Sequence, residues 1–74
     1  MSDEANEVKQ PRAEWQERVI KEEEELDLKV EALYNFIKSE AFDALDAKSR
    51  ELLNKQALLM CDYSLVLKAR IAMF

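Results

Sequence analysis

The sequence predicts an all-α protein, an antiparallel two-helix hairpin with a short helical turn between its arms, dimerising into a four-helix bundle. Three observations point there. The 74-residue chain has no glycine and one proline, so the left-handed positions of tight β-hairpins have nothing to fill them. Leu, Ala, Glu and Lys, all good helix formers, dominate the composition. Apolar residues recur at helical spacing in two long stretches separated by a short irregular segment.

Residues 1–10 read as a flexible acidic arm in which Val8 is the only sizeable apolar side chain beyond Met1. Residues 11–74 form the helical hairpin domain. Pro11 has no N–H to lose in a first helical turn, so the first helix is expected from about Pro11 to Lys38. Its apolar stripe is Trp15, Val19, Leu26, Val30, Leu33 and Ile37, with Glu22 in the gap. Those spacings place the side chains on one face. The other faces carry Glu23, Glu24, Glu25, Asp27 and Glu31, a run read as solvated surface, with Glu17–Lys21 and Glu25–Lys29 as supporting pairs.

Ser39 can cap a short turn that holds Phe42, with Leu45 close behind as a plug on the core. Asp46 is an N-cap for a second helix from about Ala47 to Ile71 or beyond. That helix bears two apolar tracks at intervals of seven, Leu53–Met60–Leu67–Phe74 and Leu52–Leu59–Val66–Met73. One antiparallel neighbour covers one track and part of the other. The expected contacts set Leu26, Val30 and Leu33 against Leu53, Leu59 and Met60, Glu22 near Tyr63, and Trp15 near Leu67 and Arg70. The remaining track, with Leu52, Leu59, Tyr63, Val66 and Met73, is assigned to a homodimer interface, together with Trp15. Periodicity alone leaves open which track that is.

Charge narrows the functional classes. The formal net charge is −5. Residues 1–46 hold 6 basic and 14 acidic side chains, and residues 47–74 hold 5 and 2. An acidic chain is a poor non-specific partner for nucleic acid or an anionic membrane. No histidine is present and Cys61 is alone, so the commonest general base, the commonest metal ligand and an internal disulfide are all missing. No catalytic residue, metal or cofactor is expected, and the chain is read as a non-enzyme of the cytoplasm. Glu23, Glu24, Asp27 and Glu31 are candidate partner-binding acids. Arg50, Lys55 and Arg70 are candidate anion-binding residues, and Tyr63 and Gln56 mark a polar line inside the apolar face. Arg70 has an alternative partner in Glu14 or Glu17.

The stretch Glu17-Arg18-Val19-Ile20, Glu25-Leu26-Asp27, Leu33, Phe36-Ile37 and Phe42 resembles a family of small uncharacterised helical proteins of tailed bacteriophages and prophages. The continuation through Leu45, Arg50-Glu51, Leu53, Gln56, Met60, Tyr63-Ser64, Leu67 and Arg70-Ile71 resembles it too. Lambda-like phages carry such proteins in the early accessory region. The resemblance implies an accessory or regulatory protein that binds a host or phage protein through its bundle surface. The alternative is a protein that sequesters a small anionic ligand such as a nucleotide signal.

Overall fold

The computed structural model describes residues 12–74. The expected flexible arm and the start at Pro11 lie outside them. Three helices follow in order, α1 (Glu14–Ile37), α2 (Glu40–Asp43) and α3 (Ala47–Ile71). The two long ones pack against each other and no strand is present among the described residues.

Local chemistry sets each boundary. At the start of α1, Gln16 Oε1 accepts from the Ala13 backbone N–H at 2.8 Å, satisfying a donor that Ala13 cannot cap itself. Its end is followed at once by Ser39, whose hydroxyl accepts from Phe42 N–H at 3.3 Å and caps α2. Asp46 caps α3 by accepting from Ser49 N–H at 3.4 Å. The helices turn back on one another with no positive-φ residue among those described, so α2 does the work that glycine does in other hairpins. Phe42 is buried at this end and packs edge-on to Phe36, ring centroids 6.3 Å apart.

The core is narrow. Val19, Leu26 and Leu67 form its buried centre, with Val30, Met60 and Ile71 packed against it. Leu67 is 1% exposed. Ala57 is buried too. The track Leu53–Met60–Leu67 therefore faces α1, while Leu59 and Val66 on the other track are 59% and 56% exposed. This corrects the expected seat of Leu59 against α1: about 180° of rotation separates the face of α3 carrying Ala57 from the region around Leu59, too far for one helix to cover both.

The exposed glutamate run is also corrected. Glu23 is buried at 8% exposure, one step around the helix from the Glu22 expected in the stripe. Val19, Glu23 and Leu26 stand at i, i+4 and i+7, which is the inward face. Glu24 and Glu31 remain exposed.

Candidate functional site

Two polar features stand out on this scaffold. The first lies between the long helices. Glu23 and Asp27, four residues apart on α1, meet Ser64 and Lys68, four apart on α3. Lys68 Nζ donates to Glu23 Oε2 at 2.8 Å and to both Asp27 oxygens at 2.9 Å. The Ser64 hydroxyl lies 2.8 Å from Asp27 Oδ1 and 3.3 Å from Glu23 Oε2, and it accepts from Lys68 at 3.0 Å. A serine has one proton to give, so the shorter contact to Asp27 is its main donation.

Hydrogen bonds from Lys68 first, and then from Ser64, hold the Asp27 carboxyl below its ordinary range. Bonds to Glu23 and Asp27 hold the Lys68 ammonium above its own. Every buried side-chain polar atom among the described residues has a partner. The cluster is internally satisfied, which makes it a feature of helix pairing. Glu23 and Asp27 are thus tied to Lys68 and are not free acids on an outer face.

No hydrogen bond joins Glu22 and Tyr63 among the described residues. Glu22 is exposed and Tyr63 is 44% exposed. Ser64 takes the inward place instead. The spacing that signals the cluster is an acidic i,i+4 pair on one inward face opposite a Ser/Lys i,i+4 pair on the other.

The second feature is a trough on the outward shoulder of α3, lined by Leu52, Lys55, Gln56, Leu59, Met60 and Tyr63. All six come from one helix, so the trough has a floor and no opposing wall. Its floor is aliphatic. Lys55 brings a cation, Gln56 an amide that reaches Met60 Sδ at 3.6 Å, and Tyr63 a ring with a hydroxyl. Val66 and Met73 continue the same track toward the C-terminal end of the helix, Met73 at 86% exposure.

The other sequence-predicted residues fall elsewhere. Arg50 turns its guanidinium back to the Asp43 carbonyl at 3.2 Å and to the Leu45 carbonyl, securing the α2–α3 connection. Among the described residues Arg70 makes no ion pair. Glu14 pairs with Arg18 at 3.3 Å, and Glu17 with Arg12 at 3.8 Å. Trp15 has an aromatic neighbour at the end of the chain. It meets Phe74 edge-on, ring centroids 5.2 Å apart, and stays half exposed. Cys61 Sγ donates to the Tyr34 hydroxyl at 3.5 Å. No group of three potential metal ligands occurs among the described residues. No described helix is long and apolar enough to cross a membrane.

Comparison with known proteins gives one result. The family model described as Sequestin matches residues 13–73, the whole hairpin from the Ala13 cap to the end of α3. The match carries no bacteriophage source and no lambda-like gene neighbourhood. No curated protein and no solved structure matches. The chain belongs to the Sequestin family.

Proposed function

We propose that this protein binds and sequesters a small anionic ligand, such as a nucleotide signal, without transforming it. The observation that carries the reading is the α3 trough, where Lys55 on one side and Gln56 and Tyr63 on the other flank an aliphatic floor of Leu52, Leu59 and Met60. A nucleotide needs a cation for its phosphate, a flat face for its base and an amide for its edges, and the trough offers one of each. No histidine or activated nucleophile is at hand to attack what is bound. The family name points to sequestration as well. Titration calorimetry with mononucleotides and cyclic nucleotides tests the reading. Saturable binding that K55Q and Y63L weaken supports it, and no heat with any of them defeats it.

A second reading has its own observation. The apolar band of α3 and the exposed acids Glu24 and Glu31 of α1 give two chemically distinct faces that suit a host or phage protein partner. Charge reversal at Glu24 and Glu31 abolishes capture of such a partner if this reading holds.

A further inference from the structure

We infer that the outward track of α3 is covered by a second copy of this chain, in an antiparallel α3–α3 contact with its two-fold axis at Leu59. Helix α3 is apolar on too much of its circumference for one neighbour. Leu53, Met60 and Leu67 face α1, yet Leu52, Leu59, Val66 and Met73 still stand in water at half exposure or more. A helix apolar on nearly all sides is a helix with more than one packing partner. The internal core is correspondingly thin, with Val19, Leu26 and Leu67 at its centre, and an isolated hairpin of this size is marginal. The outward track, with Tyr63 beside it, is a continuous band of exposed large apolar side chains, the kind of surface that marks an interaction site.

Length and charge choose the occupant and the register. Helix α3 runs from Ala47 to Ile71, 25 residues with Leu59 at the middle. A two-fold axis there overlaps the two helices along their full length. It sets Leu59 against Leu59 of the partner subunit, and Leu52 against Val66 of the partner subunit. An antiparallel two-fold brings like flank against like flank. Lys55 and Asp62 share one flank, seven residues apart, so Lys55 comes level with Asp62 of the partner subunit to within one residue, twice over. The acidic α1 helices stay away from the seam, and Lys48, which this register brings toward Arg70 of the partner subunit, is already paired with Glu51 at 3.5 Å.

Gln56 and Tyr63 share the opposite flank. The same seam covers Leu52 and Leu59, the floor of the trough, so on the ligand-binding reading a bound ligand and the second copy compete for it; the dimer itself does not rest on that reading, and it is measured without ligand.

The experiment is sedimentation equilibrium of the full chain from low to high micromolar concentration, for wild type, L59E, K55D, D62K and K55D/D62K. Wild type is expected to be a dimer and L59E a monomer. K55D and D62K each replace two symmetry-related attractions by repulsions and weaken dimerisation about tenfold, and the double variant restores it. Far-UV circular dichroism accompanies each sample. If L59E loses its helix, the charge variants, whose sites lie at the rim, decide. A monomeric wild type, a dimer that folded L59E leaves intact, or a charge swap that fails to restore association overturns the proposal.

Discussion

The hydroxyl of Ser64 donates to Asp27 Oδ1 at 2.8 Å across the helix pair while it accepts from Lys68 at 3.0 Å. This bond joins residues 37 positions apart in the chain, and it can form only when the two helices are in one particular register. A shift of one residue along α3 would set Tyr63 or Leu65 against the two carboxylates and leave Glu23 buried without a donor. An unpartnered buried carboxylate is strongly unfavourable.

The first prediction follows from that register. Ser64→Ala leaves Lys68 bound to both carboxylates, so the loss is that of one hydrogen bond to a charged group, about 1.5–3 kcal/mol. Lys68→Met strands Glu23, and the loss is larger than for Ser64→Ala. Urea unfolding followed by circular dichroism measures both. Equal stability of the two variants would show that the cluster does not act through Glu23.

The pH dependence has a defined sign. The folded-state pKa of Asp27 lies below its ordinary value of 3.8, so its contribution is present above about pH 4 and is lost as pH falls through the depressed value. Lys68 lies above its ordinary 10.5, so its contribution is present below that pH and is lost as pH rises through the raised value. Asp46, also lowered by its Ser49 bond, adds to the acid limb. The stability gap between wild type and Asp27→Asn should be constant from pH 5 to pH 9 and close below pH 4. A gap that does not shrink as pH falls below 4 defeats the assignment.

The two apolar tracks of α3 should separate in mutation. Among the described residues Leu67 is the most deeply buried large side chain, and Leu67→Ala should cost about 2–5 kcal/mol. Leu58, 63% exposed and on neither track, should tolerate Ala within about 0.5 kcal/mol. Thermal unfolding of both variants at one protein concentration checks this. A loss at Leu58 equal to that at Leu67 would mean that a third face of α3 is buried.

The hairpin was legible because its boundaries rest on local chemistry. Ser39, Asp46 and the absence of glycine are short-range signals, and the caps and the start of α3 expected from them are those observed. The inward face of α1 was harder to read. Glu22 and Glu23 are one residue apart, and a stripe of alternating threes and fours passes through either. What decides between them is Lys68, 45 residues further on, which makes burial tolerable at Glu23 alone. Arg50 shows the same limit. Its charge marked it as an anion binder, while the carbonyls of Asp43 and Leu45 that claim it become neighbours only through the turn. The trough was partly legible, since Tyr63 and Gln56 stood out as polar residues on an apolar face. Its floor was legible in Leu52 and Leu59 and not in Met60, which belongs to the track that packs on α1 and also lines the trough.

The last prediction concerns how the trough divides its work between charge and stacking. Lys55 is the one cation in the lining, and it is well exposed to solvent. Its bond to a phosphate is therefore screened, and Lys55→Gln should weaken a nucleotide severalfold at low salt and much less in several hundred millimolar salt. Tyr63 acts differently. A base stacked on its ring gains about 1–3 kcal/mol whatever the salt, so Tyr63→Leu should weaken binding about 5- to 150-fold at either ionic strength. Tyr63→Phe keeps the ring and removes the hydroxyl, and it should retain most of the affinity if the face of the ring is what the base uses. Calorimetric titration of one nucleotide at two salt concentrations, for wild type and these three variants, separates the terms. Loss of binding in Tyr63→Phe equal to that in Tyr63→Leu would move the recognition from the ring to the hydroxyl. Affinity unchanged in Lys55→Gln and Tyr63→Leu alike would remove the trough as the binding site.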